Sequence, residues 1–597
     1  MNYVFKDSKF NYKVLVPKNK GAYIDFATSE VVSLFEKATG VIIEVTQNAI
    51  CGEKYFSIGE TELFQKGGYS IDKTTLGEEG YRFFTDNNQN YYVVGGAEIG
   101  TAFGVYKYFE EMLSYEHYAI DETKIAVATE IPFKDFDITD IPDIKSRCMS
   151  MYDCRGDRLR REHATRLKGI GGFGEYIDGT EYWGSWAHNH FYFVPFYANQ
   201  HKHPDWFSPE QTQLCYTNDE VVDCFVENLK KHILQKKDQK YFMLGHRDSS
   251  TCCLCDNCKA RIKEIGMSGL SIEFHNKIAK KISEWQKEVC PEREIWLVPF
   301  AYGHTEDAPV KEVDGKIVPI EPCCVPEKNV KICLALLCHD LRKPLSDEKY
   351  NPKSAKLLKG WQAITKDIMV WTYYNKFDET FDYFDGFDAY FANLKTFQKM
   401  GTHWYFPEAG GGTYGSQALS EMYMYVFAKT AWDTTLDPWK LCDDFMDNYY
   451  KDGADAMKRY HRYLYNYYNN TKNEYERKYG VYLTTYWCSD DPDWMHIQTD
   501  KFFSKKYFED LKNLIDEAIS AVKSSWRSTD DKQKLIKRIE FQSLTGKTQL
   551  LKIYGKTLEK DEALLLIEDI DRIMTESGKL NQEKEKLLQK FKGWTNL

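Results

Sequence analysis

Between Ile144 and Gly412, short apolar runs alternate with stretches of helical periodicity, and the clear runs end in polar or aromatic residues. That alternation is the signature of repeated βα units. Six strands are predicted from it: Lys145–Met151, Tyr241–Gly245, Glu294–Ala301, Val330–Leu337, Asp367–Thr372 and Thr402–Phe406. Two more, sought in the irregular aromatic stretch 165–200, would complete a (β/α)8 TIM-like barrel. Closed α/β barrels carry their working residues at the C-terminal ends of the strands, so the residues just after each run are the candidates for chemistry.

Length requires more than this one unit. At 597 residues the chain exceeds one ordinary core. Residues 1–135 are expected to form a small α/β domain, with a strand at Tyr12–Val16, a helix at Asp25–Thr39 and a strand at Val41–Val45. A hairpin pairs Gly80–Thr85 with Asn90–Val94, and a helix follows through Met112. Gly95, Gly96, Gly100 and Gly104 lie between strand and helix, but their spacing is not the dinucleotide-binding G-x-G-x-x-G, so close helix-on-sheet packing is the preferred reading. The stretch Ala126–Ile144 reads as a linker, 136–418 as the barrel and 419–597 as a helical C-terminal domain.

Charge and composition narrow the partners. A formal net charge of -11 with no compensating basic block argues against nucleic acid. The 42 Tyr and 14 Trp suit stacking on sugar faces, although cores account for most of them. The N-terminal stretch lacks a signal-peptide pattern, and no apolar run approaches the roughly 18 residues of a membrane span. A cytoplasmic protein with an oligosaccharide substrate, and without nucleic-acid or membrane partners, is expected; homo-oligomerisation is left open.

Glycoside hydrolysis needs two carboxyl groups, and two stand where the barrel would put them. Asp248 follows Leu244–Gly245–His246–Arg247, and Glu408 follows the run from Thr402 to Pro407, ahead of Gly410–Gly412. The plainer alternatives are an ion pair with Arg247 or a helix cap for Asp248, and a loop acid for Glu408. Asp340 ends the run through Cys338–His339, where it could support a catalytic acid, orient His339 or cap the loop. Trp371, Tyr374 and Asn375 end another strand and could supply a stacking wall and a hydroxyl or acetamido contact. Trp183, Trp186, His188, Asn189 and His190 form a polar–aromatic cluster, read as substrate contact or loop structure rather than metal ligands.

Cys252, Cys253, Cys255 and Cys258 include a C-x-x-C pair, half of a structural zinc site. No second pair has the right spacing, although Cys323–Cys324 could approach in space. Free thiols bracing the loop after Asp248 are therefore preferred, and neither metal nor cofactor is assigned.

With these motifs the chain resembles the glycoside hydrolase family 163 proteins, first catalogued as domain of unknown function 4838. The resemblance rests on LGHRDSSTCCLCDNCK, His203–Phe207 with Gln213–Cys215, Trp371–Asn375, Trp404–Gly410 and Ala428–Asp433. The stretch Gly95–Glu111 is similar to the small domain preceding the barrels of family 20 hexosaminidases and family 67 α-glucuronidases. The resemblance implies a TIM-like barrel that hydrolyses β-linked N-acetylglucosamine in N-glycans. Arg247 departs from it, standing where the family usually has Asn.

The expected mechanism is retaining or substrate-assisted, with Glu408 as general acid/base and Asp248 as nucleophile or acetamido-orienting group. His188, His190, Arg247, His339, Asp340, Trp371, Tyr374, Asn375 and Trp404 are the expected sugar contacts. An α-glucuronidase-like enzyme would need a basic clamp such as Arg247 or Arg155. A non-catalytic sugar-binding barrel would bind without turnover. A zinc hydrolase using Cys255, Cys258 and histidines would require stoichiometric metal.

Overall fold

A computed structural model describes residues 2–149, 156–249, 251–337, 340–373, 381–409, 418–479, 497–578 and 584–597. Its first layer is a six-stranded sheet in the order Asp137–Asp140, Tyr81–Thr85, Tyr91–Gly95, Lys54–Ile58, Tyr12–Leu15, Val45–Thr46. Helices Ala22–Thr39 and Glu98–Leu113 pack on it and on each other. The first helix stops at Gly40, whose φ of 73° is left-handed and whose N–H closes on the Glu36 carbonyl. The expected strand at Val41–Val45 contracts to Val45–Thr46.

The glycines after Tyr91–Gly95 serve packing. A Cβ on Gly96 would run into the Gly77 carbonyl, and one on Gly100 into the Gly80 carbonyl. Ala126–Ile144 is stitched into the first layer rather than hanging free as a linker. Ile131–Pro132 pairs with Tyr3–Lys6, and Asp137–Asp140 pairs antiparallel with Tyr81–Thr85. Open backbone donors on a sheet edge recruit such a segment readily.

Seven parallel strands form the second layer: β1 (Ser146–Arg147), β2 (Trp183–Ser185), β3 (Tyr241–Leu244), β4 (Trp296–Ala301), β5 (Ile332–Leu336), β6 (Ile368–Tyr373) and β7 (Trp404–Glu408). Their order is β1-β7-β6-β5-β4-β3-β2, so first and last strands in sequence pair and the sheet curls into a TIM-like barrel. All six strands expected from the sequence are present. Of the two sought in 165–200, one is the three-residue β2. At the other, Ile170 makes a single parallel bridge to Cys148. Gly169, Gly171, Gly172 and Gly174 surround Ile170, and a segment so poor in side chains cannot pack a long strand.

Alternation along the strands separates two cores. Met243, Val298, Cys333, Met369 and Trp404 join Trp183 in the interior cluster. Phe242, Leu244, Leu297, Leu334, Val370 and Tyr405 face the surrounding helices. The helix at Asp219–Gln235 shows why these crossovers fold: Asn218 caps it by accepting from the Glu220 N–H. Val222, Phe225, Val226, Leu229 and Ile233 then bury one stripe at helical spacing.

Beyond Ser420–Trp432, which packs on the barrel, helices Pro438–Tyr449, Ala454–Tyr479, Lys505–Ser524, Thr529–Tyr554, Lys560–Ser577 and Lys584–Gly593 form the expected helical region. No described helix is long and apolar enough to cross a membrane.

Candidate active site

The C-terminal ends of β2, β3, β4, β6 and β7 converge on one mouth. Trp186, Phe300, Trp371 and Phe406 make its aromatic floor. Trp186 stacks on Trp371 with ring centres 5.3 Å apart, while Phe406 meets the Trp371 ring edge-on at 4.9 Å and Phe300 at 5.9 Å. The interior-facing register that buries Trp404 and Phe406 brings Glu408 to the same side, at the rim.

Glu408 is half-buried, and the indole Nε1–H of Trp371 donates to its Oε2 at 2.8 Å. Burial pushes its carboxyl up to about 7, with the Trp371 hydrogen bond pulling modestly the other way. Asp248 is exposed just beyond β3, and the Tyr302 hydroxyl at the end of β4 donates to its Oδ1 at 3.3 Å. Tyr373, at the end of β6, pairs in register with Glu408. Burial and then the nearby Glu408, Tyr302, Cys333 and Asp248 all push its hydroxyl upward. Glu408 and Asp248 therefore both act electrostatically on the Tyr373 hydroxyl, Asp248 the more weakly.

The loops carrying these groups are tied by short main-chain contacts. Asn189 Nδ2 donates to the Met243 carbonyl at 2.6 Å, and its Oδ1 accepts from the Gly245 N–H at 3.2 Å. A side chain on Gly245 would strike the Ala187 carbonyl, so glycine is what permits this approach. His188 is exposed and its Nδ1 donates to the His246 carbonyl at 2.6 Å, with its ring 5.4 Å from Phe300. Arg247 is exposed, with its guanidinium 4.9 Å over the Phe191 ring. Gln213 holds its main chain from both sides, Nε2 donating to the Arg247 carbonyl at 2.7 Å and Oε1 accepting its N–H at 3.2 Å.

The mouth thus assembles Asp248, Glu408, His188 and Trp371, while Arg247, next to Asp248 in the chain, lays its guanidinium on Phe191. Three expected contacts lie elsewhere. Trp404 is fully buried in the barrel interior, its ring 5.0 Å from Trp183, and presents no face to a ligand. His190 is fully buried beneath the mouth, its Nε2 3.3 Å from that of His275, and burial drives its pKa well below the usual histidine value. Asp340 is buried in a bidentate pair with Arg342, at 3.0 Å to Nε and 2.9 Å to a terminal nitrogen. His339, Tyr374, Asn375, Arg155 and Gly410–Gly412 lie outside the described residues.

Tyr302 escaped sequence reasoning as a site group, whereas Tyr373 lies in the Trp371–Asn375 strand end read as a source of stacking rings. Tyr302 directly follows the strand predicted at Glu294–Ala301, so the rule that strand ends carry function would have found it. Among the cysteines, Cys252, Cys323 and Cys324 stay apart from the cluster. Cys253, Cys255 and Cys258 instead gather with Cys215, a residue absent from the expected set.

The family model described as domain of unknown function (DUF4838) matches residues 124–462. The model described as glycosyl hydrolase family 67 N-terminus matches residues 6–108. No curated protein matches the chain. Among solved structures, a family GH115 4-O-methyl-α-glucuronidase with specificity for decorated arabinogalactans is similar at a TM-score of 0.58 and 10% identity, over 98% of this chain and 78% of that one. A family 89 glycoside hydrolase from Clostridium perfringens, in complex with GlcNAc-α-1,4-galactose, gives a TM-score of 0.46 at 10% identity, over 96% and 65% of the two chains. At such identity the first likeness is one of fold alone, and the second carries no argument.

Proposed function

The chain belongs to the family described as domain of unknown function 4838, and from that premise we propose that it is a glycosidase working with Glu408 and Asp248. The observation that carries this reading is Glu408. A carboxyl at a barrel strand's C-terminal end, held up to about 7 by burial and bonded among the described residues only by a neutral indole, suits proton donation to a leaving oxygen. Asp248 borders the same mouth in an exposed, hydrogen-bonded setting, the contrast of environments that separates an acid from its partner carboxylate.

In this scheme Glu408 protonates the glycosidic oxygen and later accepts a proton from water. Asp248 attacks the anomeric carbon or orients a substrate acetamido group. Trp186 and Trp371 supply apolar faces for a pyranose ring. The substrate class we propose is an N-acetylglucosamine-containing oligosaccharide derived from N-glycans, as the resemblance to glycoside hydrolase family 163 implies. Arg247 favours a second reading, an α-glucuronidase-like activity. Its guanidinium stands exposed over the Phe191 ring, on the residue preceding Asp248, with no ion pair among the described residues, as a clamp for a uronate carboxylate would.

The test is turnover by wild type, Glu408→Gln and Asp248→Asn on aryl N-acetylglucosaminides, aryl glucuronides and N-glycan oligosaccharides. Activity on one class, lost in both folded variants, is expected. Activity indifferent to both changes would overturn the assignment of the carboxylates. Binding of a sugar without any turnover would identify a sugar-binding barrel instead.

A further inference from the structure

Far apart in sequence, Cys215 and the Cys253–Cys258 turn meet at the foot of the loop that follows Asp248. The Sγ atoms of Cys215, Cys253, Cys255 and Cys258 all lie within 4.8 Å of one another, three of the residues being buried. Cys215 Sγ stands 3.7 Å from Cys255 Sγ and 3.7 Å from Cys258 Sγ. A disulfide requires about 2.05 Å. Four thiolates around one zinc at Zn–S distances of about 2.3 Å stand about 3.8 Å apart along the tetrahedral edges. The spacing therefore fits a shared central ion rather than two sulfur–sulfur bonds.

Surrounding donors match the sulfurs. The Cys258 N–H donates to Cys255 Sγ at 3.4 Å, across the first turn of the helix Asp256–Val289. The Thr217 hydroxyl lies 3.2 Å from Cys258 Sγ and 3.6 Å from Cys215 Sγ. Such partners orient metal-binding thiolates and spread their charge. Carboxylates and imidazoles are missing from the group, which leaves a soft, all-sulfur donor set.

We propose that Cys215, Cys253, Cys255 and Cys258 bind one zinc ion in a closed structural site. Four protein ligands leave no position for water or substrate, so the ion does not hydrolyse anything itself. Its role is mechanical. Gln213, two residues before Cys215, holds both main-chain groups of Arg247. Thr212 and Thr251 hydroxyls meet across the same two loops. The ion would pin these loops together beneath Arg247 and Asp248. The metal assignment stands independently of the glycosidase reading; only its consequence for Asp248 rests on that reading.

The test uses the full chain purified under reducing conditions, with elemental analysis and cobalt substitution. One zinc per chain is expected, and cobalt should give thiolate-to-metal charge-transfer bands with tetrahedral ligand-field absorption. Cys258→Ser should lose the metal and the bands, whereas Cys290→Ser, outside the group, should retain both. If Cys258→Ser does not fold, stripping wild type with a chelator and restoring zinc provides the second measurement: the melting temperature should fall and recover. Reduced protein that takes up neither zinc nor cobalt would overturn the site. So would two disulfides found by mass analysis of the native chain, or iron bound in place of zinc. A chain that binds zinc yet turns over no sugar would leave the metal site standing and fail the functional reading alone.

Discussion

The loop after β5 and the last residue of β7 each set a carboxyl at the end of a barrel strand, yet the two are put to different uses. Asp340 is buried against Arg342, which also reaches Glu476 in the helix Ala454–Tyr479. Its oxygens are further engaged by the Arg342 N–H at 3.0 Å. The pair therefore anchors the barrel to the C-terminal helices. Among the described residues Glu408 meets only a neutral donor, the Trp371 indole, and burial holds its carboxyl near 7. Glu110 supplies a third case. Burial pushes it up too, but Lys168, Lys429 and Lys107 outweigh that push and hold it at about 2. Position on the fold does not decide a carboxyl's role; the charge of its partner does.

The comparison breaks most sharply at Glu408. Replacing it with Gln should lower kcat/KM by about 10²–10⁴-fold, the range of a general acid, while circular dichroism and melting remain native. A similar rate loss with Asp340→Asn would erase the distinction between the two carboxyls.

Stability should show the reverse ranking. Arg342→Met removes the cation from buried Asp340, along with its link to half-buried Glu476, and should cost about 3–5 kcal/mol in denaturant unfolding. The fraction that remains folded should turn over substrate at the wild-type rate.

A pH series sharpens the contrast further. The Glu408 carboxyl stands near 7 folded against 4.5 as its ordinary value, so the folded chain binds the extra proton between those limits. Stability from this group is intact below about 4.5, declines through the window and is fully lost above 7. Glu408→Gln should thus be more stable than wild type by about 1–3 kcal/mol at pH 8, and no more stable at pH 4. Glu79, buried beside Arg147 and also pushed up to about 7, titrates in both proteins and cancels from the difference. Activity should fall as pH rises through about 7, because the proton donor is lost.

The smallest expected effect is at Trp371. Its hydrogen bond lowers the Glu408 value against burial, so Trp371→Phe should move the alkaline limb of the pH–rate profile upward by under one unit. A downward shift would mean that the indole stabilises the neutral acid instead.

Much of this architecture was legible in the chain. Short continuous apolar runs marked six of the seven barrel strands among the described residues, because a strand buried on both faces needs apolar side chains on each. The same runs pointed to Asp248 and Glu408 as their polar termini. The short β2 and the Ile170 bridge gave no such signal, since glycine-rich and three-residue segments carry no such run. His190 and Trp404 read as sugar contacts, but His275 encloses the first and Trp183 and Phe406 the second.

Local pattern determined the strands, the capped helices and the end of each strand where chemistry would lie. It did so because hydrophobic periodicity and capping act over a few residues. Tertiary structure alone decided that Arg342, the partner of Asp340, also reaches Glu476, that Glu408 faces an indole, and that Cys215 completes the sulfur cluster. Those choices depend on partners 134, 37 and 40 residues away. Only packing of the whole chain sets the charge and polarity around a buried group, and with them its ionisation.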